Sequence, residues 1–422
     1  MYRKISEELL EFIKSSPSCF HTIQTIKEDL SKNGFTEISE NEKWELTAGG
    51  KYYVSRNGSA LIAFKLPHQD FNSWRIIASH SDSPTFKIKE NPEITVDEHY
   101  VQLNVERYGG MTYSPWLDRP LSIAGRVIIK SGDSYIAKLV NIDRDLLLIP
   151  NIAIHMNHGI NDGYKYNPQK DLLPIYSDIS GKNTFMDTIA QAADVEKEDI
   201  LSHDLFLYNR QPGTLWGASE EYISSPKLDD LQCAFASLKG FVESAPEKNC
   251  AVYCIYDNEE VGSGTKQGAA STFLKDVLSR ITLCIGHSAE EHLIALSRSF
   301  MISADNAHAA HPAHLDKADP INKPYINEGI VIKYNADQKY CTDGFSAAYF
   351  KDLCRMADVP FQTFTNRSDV SGGSTLGNVS STQVAVSAVD IGLPQLAMHS
   401  PYETAGVKDT AYLAAVSKIF FD

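Results

Sequence analysis

Histidine and carboxylate side chains recur at one kind of place in this 422-residue chain: directly after a short apolar run. Beyond the carboxyl ends of strands in an α/β sheet, loops can aim side chains from distant sequence positions into one crevice. His80 follows Trp74–Ala78 and can offer a neutral imidazole nitrogen to a metal, while Asp82 could hydrogen-bond the other ring nitrogen and fix its tautomer. Taken alone, these residues read first as a polar turn after a buried strand. Asp229 and Asp230 open a helical pattern with Leu231, Ala234, Phe235 and Leu238 on one face. An Asp there is ordinarily a helix cap, although a carboxylate can also bridge two ions with its two oxygens. Glu259 and Glu260 follow the apolar run Ala251–Tyr256. Adjacent carboxylates raise each other's cost of ionisation unless a cation is present, so the pair reads as a metal ligand beside a general base, or as a solvated acidic turn. Asp305 ends the run Phe300–Ala304, and His308, His311 and His314 follow it. Pro312 breaks any helix that would align those histidines, which leaves Asp305 as the ligand candidate. His399 follows Leu393–Met398, and a lone histidine is more often structural than ligating. As a set, two histidines and four carboxylates suit zinc, manganese or cobalt. Neighbouring carboxylates favour a pair of ions about 3.5–4 Å apart.

The elements that must position these residues alternate between strand and helix. Apolar β-branched runs predict strands at 74–78, 251–256, 300–304, 329–334 and 383–389, and helical patterns cover 5–14, 228–242, 271–281 and 344–357. Strands interleaved with helices predict an α/β core with a mixed central sheet flanked by helices. Between about Pro92 and Ser224 the pattern changes to period-two segments such as Tyr100–Val105 and Leu121–Ile129, separated by Gly-rich turns. This predicts a β-rich domain, residues 92–224, inserted into a discontinuous core of residues 1–91 and 225–422.

A formal net charge of −15 argues against a nucleic-acid partner, and any preference for acidic substrates must then come from local cations. Seven dispersed cysteines without paired spacing read as reduced thiols. Met1–Phe12 is an amphipathic, charged helix rather than a signal peptide, and no run approaches the roughly 20 apolar residues of a membrane span. A cytoplasmic protein without a membrane partner is expected. The Gly-rich segments at 261–264 and 371–373 lack the Gly-Lys-Ser/Thr ending of a phosphate loop.

Six segments together resemble the M18 family of metallopeptidases, the aspartyl aminopeptidase family, in its bacterial form. They are Ser79-His80-Ser-Asp82-Ser-Pro, Leu228-Asp229-Asp230, Asp257-Asn-Glu259-Glu260-Val-Gly-Ser, Ser303-Ala-Asp305-Asn-Ala-His308, Gly372-Gly-Ser-Thr-Leu-Gly377 and Gln395-Leu-Ala-Met-His399-Ser. The resemblance runs from Ser16-Pro-Ser-Cys-Phe-His21 nearly to the end of the chain. It implies a metallopeptidase core and an aminopeptidase that hydrolyses the first residue of peptides with a water activated between two divalent ions, zinc first and manganese or cobalt next. It implies His80, Asp229, Glu260, Asp305 and His399 as metal ligands, with Asp229 bridging, Glu259 as catalytic base and Asp82 orienting His80. It also places His155, from the inserted domain, near the active site, and implies a tetrahedral homododecamer with the inserted domain serving assembly or substrate gating. Lys333, after the run Gly329–Ile332, is the candidate cation for an acidic first residue, or else an ordinary solvated lysine; a neutral first residue is equally open. The family's usual apolar residue after Ser-Ala-Asp is Asn306 here. Competing readings are a two-metal amidase, deacylase or carboxypeptidase of related fold, and an inactive structural homologue.

Overall fold

Along Trp74–His80, Ile76 and Ala78 pack into one hydrophobic cluster and Ile77 into another, the alternation of a strand buried on both faces. The same split holds for Cys250–Tyr256, whose Val252 and Cys254 face one way and whose Tyr253 and Ile255 face the other. The computed structural model describes residues 1–422, which separate by internal contacts into two units.

The first unit comprises Met1–Asp82, Gly213–Met398 and Glu403–Asp422. Its nine-stranded sheet runs in the order Thr36–Glu37, Lys51–Arg56, Ala60–Lys65, Cys250–Tyr256, Trp74–His80, Phe300–Ala304, Ser387–Gly392, Ile330–Tyr334 and Phe361–Thr365. The four strands from Cys250–Tyr256 to Ser387–Gly392 are mutually parallel, and antiparallel strands adjoin them on both sides. The helices Tyr2–Lys14, Leu228–Glu243, Gly344–Met356 and Asp409–Phe421 cover one face, and Phe273–Cys284 covers the other. A five-stranded sheet in the order Thr214–Trp216, Tyr222–Ser225, Glu403–Gly406, Pro394–Leu396 and Ala307–His308 completes this unit. The expected α/β class with a mixed central sheet is therefore present.

One predicted strand moves. Residues 383–386 are turns closing on the short helix Leu376–Ser380, with the Gln383 and Val384 amides donating to the Ser380 carbonyl, and the strand is Ser387–Gly392. Val384 is buried without joining a ladder, so its β-branched side chain marks the core rather than the sheet.

The second unit comprises Ser83–Pro212 and His399–Tyr402. It is a six-stranded sheet in the order Ser134–Asn141, Leu121–Ser131, Ile200–Asn209, Thr85–Val96, Tyr100–Tyr108 and Ile175–Asp178, antiparallel throughout, with the helix Phe185–Ala193 on its core. Its limits differ from those expected at both ends. Pro92 lies inside Thr85–Val96, at a register shift between Ile88 and Glu93, where a bulge tolerates a residue lacking an amide proton. Residues 213–224 contain two strands of the small sheet, paired through Tyr222–Ser225 to Glu403–Gly406, and so belong to the first unit.

Two side chains outside the candidate set carry measurable consequences. Lys65 is buried, and its Nζ donates to the carbonyls of Phe241 (2.5 Å), Val242 (3.1 Å) and Ser244 (2.7 Å), closing the end of the helix Leu228–Glu243. Lys65→Met would leave those acceptors without a charged donor, and a loss of about 2 kcal/mol is expected from the urea-unfolding midpoint. Burial, with Lys227 nearby, pulls His21 down from 6.5 to about 4. The unfolded chain then binds a proton that the folded chain refuses, so His21 costs stability progressively as pH falls from 6.5 toward 4. In His21→Gln the difference in unfolding midpoint between pH 7 and pH 5 should shrink.

Candidate metal centre

Each acidic or histidine candidate on the parallel strands is set by how its element ends. His80 is the last residue of Trp74–His80, and it is buried. Asp229 and Asp230 sit in the first turn of Leu228–Glu243, where both depart from helical φ/ψ and the peptide joining them is cis. Neither carboxylate caps that helix. The Asp230 carboxylate accepts instead from the His80 amide at 3.1 Å, so the cap reading gives way to a tie across elements. Glu259 and Glu260 occupy the single turn Glu259–Val261, entered through Asn258 at φ 61° and left through Gly262 at φ 98°. The glycine meets that left-handed geometry without a side-chain clash.

Asp82 connects the first and third of these. One of its carboxylate oxygens accepts from the Glu259 amide (3.1 Å), and the other accepts from the Glu260 amide (3.2 Å). The His80 Nδ1 lies 3.1 Å from the Asp82 carbonyl and 3.3 Å from its carboxylate, while Nε2 lies 3.6 Å from Asp229. A single buried aspartate therefore sets both the ring of His80 and the turn that carries the two glutamates. Asp305 follows Phe300–Ala304, and its carboxylate takes a hydrogen bond from Thr375 Oγ1 at 2.7 Å.

His80, Asp229, Asp230 and Asp305 bring potential ligand atoms within 4.8 Å of one another, and His80, Glu259 and Glu260 form a second such group sharing the histidine. Burial alone would depress His80, but the Asp229 and Asp82 carboxylates hold it well above its ordinary value. Burial pushes Asp230 and Glu260 well up, reinforced by the carboxylates around them. Glu259 is pushed up to about 8 by burial, opposed by His80 and reinforced by Asp305, Asp82 and Asp229. The Oδ1 of Asp230 is buried and accepts no hydrogen bond. Acids crowded in this way hold protons unless positive charge takes their place. The donor set of imidazole and carboxylate oxygens fits a divalent transition ion.

The remaining candidates lie as follows. His399, at φ 65°, is on the turn of the hairpin formed by Pro394–Leu396 and Glu403–Gly406, and the stretch His399–Tyr402 groups with the second unit. His155 is exposed on the turn Ile154–Met156 of the second unit. Lys333 is 4% exposed, with Nζ 3.6 Å from the Asp305 carboxylate, which rules out a solvated lysine. His308, His311 and His314 are exposed and join no ligand group. Three residues acquire a place that sequence reasoning did not assign: Asp230, Thr375 and Glu403, whose Oε2 accepts from the Asp229 amide at 3.0 Å. Thr375 stands inside a segment already singled out and Glu403 just beyond another, but nothing in their local pattern names a partner.

A profile described as aminopeptidase I zinc metalloprotease (M18) matches residues 12–421. A probable M18 family aminopeptidase 2 of Clostridium acetobutylicum is 47% identical over 427 residues, covering 99% of each chain. Among solved structures, that of Ape4 in complex with Nbr1 superposes with a TM-score of 0.96 at 33% identity, covering 100% of this chain and 86% of that one. The S. cerevisiae mApe1 dodecamer superposes at 0.87 with 26% identity, covering 100% and 97%.

If Asp82 sets both His80 and the glutamate turn, Asp82→Asn presents an amide where an acceptor is needed. Zinc affinity, read by competition with a chromophoric chelator, should fall by about 10–100-fold.

Proposed function

The chain belongs to the M18 family of zinc metallo-aminopeptidases, hydrolases that remove residues from peptide N-termini, and from that premise we propose how its residues divide the work. His80, Asp229, Glu260, Asp305 and His399 would hold two divalent ions, zinc by preference and manganese or cobalt as alternatives, with Asp229 shared between them. Bound there, the ions would polarise the scissile carbonyl and lower the pKa of the attacking water. Glu259 takes one proton from that water as its oxygen bonds to the carbonyl carbon, and delivers it to the leaving amine as the C–N bond breaks. Asp82 positions Glu259 through its backbone amide and His80 through its ring. The acidic wall of Asp229, Asp230 and Asp305 suits a protonated or ion-bound α-amine, which restricts cleavage to the first residue. The observation that carries this reading is the sharing of buried His80 by two ligand groups, one of which contains both glutamates.

Lys333 is the candidate for recognising an acidic first side chain, and its ion pair with Asp305 is the bond such a substrate would compete with. His155 is proposed to act on substrate from the inserted unit, whose further role is assembly or gating. The likeness to a dodecameric neighbour supports a homo-oligomer, with twelve subunits as the proposed number. No helix is long and apolar enough to cross a membrane, and cytoplasmic residence is part of the proposal.

Glu259→Gln is expected to keep its zinc and lose about 10²–10⁴-fold in kcat; an active zinc-loaded variant would remove Glu259 from its role. A panel of aminoacyl chromogenic amides with Asp, Glu, Leu, Ala and Lys first, each free and N-acetylated, tests the rest. Only the free amines should be cut, and only before chelation. Cleavage of acetylated members would point to an amidase instead.

A further inference from the structure

Behind the ligand cluster lies a chain of buried polar side chains that the mechanism above does not use. Asn306, adjacent to Asp305 in the chain, is 2% exposed and directs Nδ2 to Gln232 Oε1 (3.0 Å) and Gln395 Oε1 (2.6 Å). Cys233 Sγ donates to Asn306 Oδ1 at 2.9 Å. Gln395, 1% exposed, passes its Nε2 to Glu403 Oε1 at 3.3 Å, and Glu403, 2% exposed, accepts the Asp229 amide on its other oxygen. Gln232 is tied in turn to Thr410 at 3.0 Å. Read end to end, the chain joins the residue beside Asp305 to the backbone of Asp229. These acids lie in one ligand group although 76 positions separate them in sequence, 305 less 229.

We propose that Asn306, Gln395 and Glu403 form a positioning relay that holds the Asp229 and Asp305 loops at ligand spacing before any ion binds. The physical reason is repulsion: two carboxylates this close drive their loops apart unless the backbones are fastened from behind. A fully satisfied buried network is stiff enough to do so, and a broken one leaves costly orphaned groups. The polar Asn306, where the resemblance leads one to expect an apolar residue, thus becomes the residue that donates to two partners at once.

This inference rests on the metal-centre reading, so metal affinity and activity are measured separately. The probe is zinc, titrated into apoprotein against a chromophoric chelator, with apoprotein melting temperature as the control for folding. Glu403→Gln leaves one acceptor oxygen for two donors, the Asp229 amide and Gln395 Nε2, and should lose about 10–100-fold in zinc affinity. Glu403→Asp keeps the charge but shortens the reach, and should lose about 10–100-fold in zinc affinity, the usual effect of removing a ligand's supporting contact. Asn306→Leu should match that loss with kcat falling more than KM rises. Should Asn306→Leu fail to fold, the Glu403 pair decides alone. Zinc affinity equal to the natural protein's for either Glu403 variant overturns the relay. If the natural protein binds no zinc at all, the metal-centre reading itself fails, and the relay with it.

Discussion

Carboxylates that must share a small buried volume repel one another, and the rest of the first unit is arranged around that repulsion. Asp229, Asp230 and Asp305 stand within 4.8 Å of one another and of His80. No single element could hold them so, because they come from two strand ends and one helix start. What keeps them together is the parallel ladder, which brings the ends of Trp74–His80 and Phe300–Ala304 side by side. The His80 amide then donates to one oxygen of Asp230, and Thr375 Oγ1 to the Asp305 carboxylate. Asp82 and Glu403 play matching parts here, each a buried carboxylate that accepts from the backbone of a proposed ligand or of the proposed general base.

Much of this was legible in the residue pattern, for a definable reason. His80, Glu260 and Asp305 each follow an apolar run that can only be a buried strand, and the end of such a strand in a parallel sheet is where sites form. What was not legible was whatever depends on contact between distant segments. Thr375 reaches Asp305 across 70 positions and Glu403 reaches Asp229 across 174, and neither separation leaves a periodicity to read. The Asp229-Asp230 pair was ambiguous because an acid at a helix start has a common local use; only its non-helical backbone reveals that it is not used as a cap here.

The limits of the inserted unit show the same division. Pro92 looks like a boundary because proline rarely continues a strand, yet a bulge accommodates it and the strand runs through. Residues 213–224 look like the β-rich region they follow, yet their partners are strands near the carboxyl end of the chain. Lys333 was poised between a solvated cation and a substrate-binding one; its burial against Asp305 removed the first.

The four residues His399–Tyr402 bear on how the protein is made. They belong to the second unit, where the His399 carbonyl accepts from the Thr112 amide, the Pro401 carbonyl from Asn209, and the Tyr402 hydroxyl donates to the Pro212 carbonyl. The chain therefore passes between units four times, at 82–83, 212–213, 398–399 and 402–403. Domains ordinarily fold in the order in which they leave the ribosome. Here the sheet of the second unit is complete by Asn209, but its full set of contacts waits for nearly two hundred further residues to be synthesised. The first unit waits still longer, because the helix Asp409–Phe421 packs on its core. Both units thus await segments made long after the inserted sheet, and a nascent chain stalled before residue 399 holds neither of them whole.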